Sequence, residues 1–319
     1  MTILCPGQGA QAVGMGKAWA SSHPESRAVF DRADAVLGDT LGMPLSELCF
    51  NGPAERLNKT DAAQPAIYVT SVASWHGVCA VAGHDPADAP LAAAAGLSLG
   101  EYTALHVAGA ISFEDGLKLV ALRGRAMQDA AEASPSSMVA LIGADEDSAS
   151  ELCERVVGRL KDEPESDRVL VPANFNAPGQ VVISGSVAAC DLAEQLAGEA
   201  GLKATRLTVA GAFHSPLMAP AADRLRAALE SVEITTPRCP VLSNVTGAPH
   251  ATEPASIAER LIEQLTSPVR WAADCSYINE HILPRSGAVP YELAPGKTLA
   301  GLMRRIDREV KVTSHDTPA

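Results

Sequence analysis

The spacing of apolar positions changes several times along the chain, and each change predicts a change of element. Thr2-Ile3-Leu4-Cys5 is a short apolar run that predicts a buried strand; PGQGAQ follows as a loop, and Gly14–Ala20 resumes a helical pattern. Pro24 opens a helix whose Val29, Phe30, Ala33, Val36 and Leu37 share one face, and Gly38 closes it. Gln64–Val81 predicts a long helix. The uncharged run around it, Ala62–Gly83, is long enough to span a bilayer but carries Gln64, Pro65, Thr70, Ser71, Ser74 and His76, so a buried amphipathic helix is expected. Leu91–His106, LAAAAGLSLGEYTALH, predicts a strand that turns abruptly into a helix. Local propensity opposes the strand, because Ala92 to Ala95 are helix formers that become strand only by context; the Gly-rich turn decides. Ser112 then caps a helix over Phe113–Ala131, and Glu132–Ser137 reads as a linker.

Beyond that linker the order becomes β-α-β-β-α-β. Met138–Ile142, Val169–Ala173, Val181–Ser184 and Ala204–Val209 are strand-like, with helices at Asp147–Leu160 and Val187–Ala200. This is the order of a ferredoxin-like α+β subdomain, residues 134–209, inserted into a larger α/β core made of residues 1–133 and 210–319. The core pattern resumes with a helix after Pro220, a strand at Pro240–Asn244, helices from Pro254 to about Asn279, a strand at Val289–Leu293 and a final helix. A polar tail follows Val312.

Composition narrows the function classes. A formal charge of −13 argues against nucleic acid or an anionic membrane as a bulk partner. The seven cysteines are scattered, with no C-x-x-C and no histidine at metal-ligand spacing, so reduced buried thiols and no metal are expected. The first residues enter a strand pattern at once, without a basic segment followed by an apolar one. The cytoplasm is the expected location, and a monomer the expected state.

Three features could carry chemistry. Gly96-Leu97-Ser98-Leu99-Gly100 is a candidate nucleophile elbow: the corner serine would stand clear of the sheet, and the unpaired N–H groups of the next helix would face a developing oxyanion. A serine needs a base, and of eight histidines only His214, in Gly211-Ala-Phe-His-Ser-Pro216, sits in a turn-like setting. No acidic orienter follows Ser98 where a hydrolase would place one, so a backbone carbonyl is the alternative. Arg123 lies on a mostly apolar helix face; unless a carboxylate pairs with it, a substrate carboxylate is its natural counterion. Gly7-Gln8-Gly9 with Ala12 fits a dinucleotide fingerprint, but its acidic residue would be Asp31, inside a helical pattern. A loop that supplies a backbone N–H is the better reading.

Taken together, PGQGAQ, the Gly-x-Ser-x-Gly-Glu elbow, LRGRAMQ, NFNAPGQVVISG, GAFHSPLM, SNVTG, EQLTSPVRW and ELAPGKTLAGLMRRI resemble, in order, the motifs of malonyl-CoA:acyl carrier protein transacylases and the related acyltransferase domains of polyketide synthases. The resemblance implies Ser98 as nucleophile, His214 as base, Arg123 as binder of the malonyl carboxylate, the N–H groups of Gln8 and Leu99 as oxyanion hole, and the Gln264 carbonyl as orienter of the histidine. It implies a hydrolase-like α/β core with a parallel sheet. It also implies malonyl-CoA and an acyl carrier protein as partners, with coenzyme A thioester as substrate and no bound cofactor. One position departs from the family pattern: the residue before the nucleophile, usually histidine, is Leu97. Phe213 fits malonyl over branched acyl groups, because bulk there narrows the pocket. Lys118, Arg125, Arg304 and Arg305 are candidates for docking an acidic carrier protein. A serine hydrolase and a non-catalytic carrier-binding homologue are the rival readings.

Overall fold

In the computed structural model, which describes residues 1–318, Thr2–Cys5 lies between Ala93–Gly96 and Pro290–Leu293 and runs parallel to both. Thr313–His315 adds a fourth parallel strand outside Pro290–Leu293, and Val241 makes a single parallel bridge to Ala94 on the other edge. The chain is therefore a mixed α/β protein with a parallel sheet. Both faces of that sheet are covered, as parallel sheets require. Ile3, Cys5 and Ala94 point into one apolar cluster, with Ile67, Val120 and Leu225; Leu4, Ala93 and Ala95 point into another, with Trp271, Ile278 and Met303.

This packing explains why an alanine run forms a strand. Its residues pair in register with Thr2–Cys5, and the side chains of Ala93, Ala94 and Ala95 are fully buried. The ladder and two-sided burial outweigh helix propensities of a few tenths of a kcal/mol per residue. Thr60–Ala82 and Phe113–Ala133 are long helices packed on one another beside the sheet, and Pro24–Leu37 packs on the first of them. Ser112 caps the second, its hydroxyl accepting the Asp115 N–H at 3.0 Å.

Residues 136–206 form a separate antiparallel sheet, ordered Leu170–Ala177, Gln180–Ser186, Ser136–Ile142, Lys203–Arg206. Helices Glu146–Arg159 and Val187–Ala197 pack on it around their own apolar cluster, which includes Leu141, Leu152, Ile183 and Ala193. A parallel bridge from Asn174 to Val269, with N–H to O distances of 2.8 and 2.9 Å, ties this sheet to the segment just after Gln264.

Three expectations need correction. The linker shrinks to Ser134-Pro135, because the helix runs on to Ala133 and the strand begins at Ser136; proline forces the residue before it out of the helical region, and Ser134 has φ −133. The tail after Val312 is not merely a tail, since Thr313–His315 is an edge strand. Ser314 Oγ donates to Glu292 at 2.9 Å, and Trp19 Nε1 donates to the His315 carbonyl at 2.8 Å. Of Pro240–Asn244, only Leu242–Ser243 joins a ladder, antiparallel to Ala248–Pro249. No helix among the described residues is long and apolar enough to cross a membrane.

Candidate active site

The turn between Ala93–Gly96 and helix Gly100–Val107 puts Ser98 at φ 53, in the left-handed region that a non-glycine residue rarely occupies. Two glycines make the turn possible. A Cβ at Gly96 would collide with the Gly100 backbone, and one at Gly100 with the Cys5 carbonyl, so the first turn of the helix lies directly against the central strand. The corner is pinned on both sides: Ser98 N–H donates to Asn244 Oδ1 at 2.6 Å, and Gln264 Nε2 donates to the Ser98 carbonyl at 3.0 Å.

Ser98 Oγ lies 2.8 Å from Nε2 of His214, which also has positive φ, 55. The other ring nitrogen, Nδ1, lies 2.7 Å from the Gln264 carbonyl. A carbonyl only accepts, so Nδ1 carries the proton and Nε2 is free to take one from the serine. Gln264 immediately follows helix Pro254–Glu263, where a carbonyl has no intrahelical partner and is available to the imidazole. Burial, helped by the nearby Arg123 charge and opposed by the Gln264 carbonyl, pushes the His214 pKa down to about 4. The imidazole is thus neutral at physiological pH.

Arg123 is almost wholly buried. Its guanidinium donates to Gln64 Oε1 at 2.8 Å, Gln264 Oε1 at 3.0 Å and Ser98 Oγ at 3.1 Å, and its carbon sits 5.5 Å from the Tyr102 ring centre. Nε has no partner, and among the described residues no carboxylate forms an ion pair with the group. Burial lowers its pKa, an effect offset in part by Tyr102 and Glu101. A buried cation held only by neutral acceptors is set to receive an anion.

Gln8, Ser98, Arg123, Phe213 and His214 line one cavity of about 630 Å³, closed on another side by Met138, Asn174 and Val182 of the antiparallel sheet. The N–H groups of Gln8 and Leu99 have no hydrogen-bond partner among the described residues, whereas that of Ser98 is taken by Asn244. Leu97 also lines the cavity; with no histidine there, the serine hydroxyl has Arg123 and His214 as its partners. Of the four basic candidates for docking, none lines the cavity, and Arg125 is tied to Asp129 at 2.9 Å. Arg304 and Arg305 are exposed at the end of helix Thr298–Ile306, whose Thr298 and Leu302 do line it, as does Lys59. The dinucleotide pattern lacks its helix: Lys17–Ser22 begins well after Gly9, and Asp31 pairs with Arg27 at 2.8 Å.

Sequence reasoning gave no role to Glu101, Asn244, His250 and Asp274, whose polar side chains are buried behind the serine. Burial and the Glu101 charge hold the Asp274 carboxyl well above its usual range. A glutamate next to the elbow, on a helix whose first two turns are otherwise uncharged, was the one visible signal.

A serine hydrogen-bonded to a neutral imidazole, beside free N–H groups and a buried cation, is an arrangement that can carry acyl transfer. Residues 2–284 match the family described as acyl transferase domain, and the chain belongs to that family. It is 40% identical over 320 residues to the malonyl CoA-acyl carrier protein transacylase of Bacillus subtilis (100% of this chain, 94% of the relative). It is 38% identical over 322 residues to that of Escherichia coli K12 (99% and 96%). Among solved structures, an acyl carrier protein S-malonyltransferase from Vibrio cholerae superposes with a TM-score of 0.88 at 38% identity, covering 99% of this chain and 97% of the other. A malonyl-transacylase in complex with its type II polyketide synthase acyl-carrier protein superposes at 0.87 and 35%, covering 99% and 96%.

Proposed function

We propose that the chain moves malonyl from coenzyme A to the phosphopantetheine thiol of an acyl carrier protein through a malonyl-Ser98 intermediate. His214 Nε2 takes the Ser98 proton as Oγ attacks the thioester carbonyl; the oxyanion is received by the N–H groups of Gln8 and Leu99. Collapse breaks the carbon–sulfur bond, and His214 returns the proton to the departing coenzyme A thiolate. In the second half-reaction His214 takes the proton of the carrier thiol, the thiolate attacks the ester, and Ser98 leaves with that proton. Arg123 binds the malonyl carboxylate with its planar fork, exchanging its contact with Ser98 Oγ for a charged partner.

The observation that carries this reading is the contact of Ser98 with neutral His214 at 2.8 Å beside an Arg123 that no carboxylate among the described residues neutralises. The curated relatives' names and the complex with a carrier protein support the same partners. The core is proposed as hydrolase-like, with residues 1–133 and 210–319 around the elbow. Residues 134–209 are proposed as a ferredoxin-like insertion, supported by the strand order and separate apolar cluster of that sheet. The proposed location is the cytoplasm, supported by seven buried, unpaired cysteines, and the proposed state is a monomer.

The test is to load the protein with malonyl-CoA, remove excess thioester, and add holo carrier protein. Malonyl appearing on the carrier thiol faster than free malonate appears supports transfer; release as malonate at the same rate with and without carrier protein would make the chain a hydrolase.

A further inference from the structure

Glu101, Asn244, His250 and Asp274 do not line the cavity, yet their hydrogen bonds converge on the backbone of Ser98. The two clamps on that backbone, Asn244 and Gln264, meet at one carboxylate. Glu101 Oε2 accepts the Asn244 backbone N–H at 3.1 Å and Gln264 Nε2 at 2.7 Å, while Oε1 lies 2.7 Å from His250 Nε2.

A carboxamide can be turned end for end, and the neighbours decide which way each one points. Oε2, which already accepts the Asn244 N–H, also accepts from Gln264, so Gln264 faces Glu101 with Nε2. That leaves Oε1 facing the guanidinium of Arg123, at 3.0 Å. Asn244 is fixed in the same manner: Nδ2 donates to the Gly96 carbonyl and to Asp274 Oδ2, both at 2.8 Å, which leaves Oδ1 for the Ser98 N–H. The backbone of Gln264 meanwhile orients His214. One carboxylate therefore bears on nucleophile, base and cation together.

We propose that Glu101, held by His250, is a positioning residue for acyl transfer: it fixes the direction of the Gln264 amide, and through it the placement of Arg123 and the Ser98 corner. This rests on the reading of Ser98 as the acyl-bearing residue.

The experiment measures single-turnover loading of malonyl and of acetyl from their coenzyme A esters. It compares the parent with Glu101→Gln, whose amide can donate as well as accept and so no longer dictates the orientation of Gln264. The expected result is a malonyl loading rate constant lower by about tenfold to a hundredfold, the range of a misplaced reacting group. The malonyl-to-acetyl preference falls, while the final loaded fraction stays that of the parent. A variant with the parent's rate constant and preference, whatever its melting temperature, would overturn the positioning role. Should Glu101→Gln not fold, His250→Leu and His250→Gln decide. Leucine leaves the carboxylate without its donor and should lower rate and preference, and glutamine, which can donate, should restore both; parent behaviour in the leucine variant would overturn the proposal. Failure of the parent itself to load malonyl would sink the acyl-transfer reading, whereas a loading parent matched by its variants would sink only the role of Glu101.

Discussion

Ser98 and His214 meet at 2.8 Å across 116 positions of chain, and both sit at positive φ, 53 and 55; among the described residues no other non-glycine residue does. Such conformations cost on the order of 1–3 kcal/mol each and persist where surrounding bonds over-determine them. Here those bonds are visible. Asn244 and Gln264 hold the Ser98 backbone, and the Phe213 carbonyl before His214 accepts from Ser184 Oγ at 2.7 Å. Both side chains are aimed before any substrate arrives.

His214→Ala should therefore slow loading of Ser98 by roughly 10²–10⁴-fold, the usual size of general-base catalysis, with a remainder from the oxyanion donors. Single-turnover kinetics by intact mass check this; an unchanged rate constant would assign the base elsewhere.

Arg123→Ala should change preference more than it lowers activity. Malonyl brings a carboxylate that the guanidinium receives, whereas acetyl leaves a buried cation without one, a difference of about 1–3 kcal/mol or more. The ratio of malonyl to acetyl loading should fall by about tenfold or more on substitution. An equal loss for both acyl groups would make Arg123 a structural arginine.

Loading should keep its rate well into acid. His214 must be neutral to act as base, and its pKa lies at about 4 instead of 6.5, so kcat/KM for malonyl-CoA should hold through pH 6 and fall only as pH approaches 4. Removing the charge at Arg123 should move that limb upward. Stability follows the same sign. His106, also pushed down to about 4 by burial, and His214 are neutral in the fold and take up protons on unfolding between about pH 6.5 and 4. Their contribution is complete above 6.5 and is lost as pH falls toward 4. A kcat/KM profile with its acid midpoint near 6.5 would contradict the buried, neutral base.

Gly100→Ala should prevent folding or lower the melting temperature sharply, because its methyl would occupy the Cys5 carbonyl. Gly158→Ala, in the helix Glu146–Arg159 with nothing near the added methyl, should raise stability by about 0.5–1 kcal/mol. Thermal melts of the two variants check the contrast.

What could be read from the sequence was whatever local spacing encodes. Gly96 and Gly100 around Ser98 mark the turn because only glycine lets the helix touch the central strand. Pro24, Gly38 and Ser112 mark helix ends, since capping depends on neighbours in the chain. The Thr313–His315 strand was not legible: three polar residues on a sheet edge, one exposed and two half-buried, carry no apolar alternation. Nor was the network behind Ser98, since Glu101, the hairpin residues Asn244 and His250, and Asp274 come from three separate segments and acquire a shared environment only when folded. His250 in particular has no sequence signal to set it apart from a surface histidine, yet its side chain is 1% exposed.

The central claim is that Ser98 carries the acyl group, and the direct measurement is the mass of the intact protein after incubation with malonyl-CoA, followed by peptide mapping of the adduct. One malonyl group per chain, located on Ser98 and absent from folded Ser98→Ala, is the result expected. A malonyl adduct of the same stoichiometry in Ser98→Ala, or an adduct mapped to another residue of the parent, would contradict it.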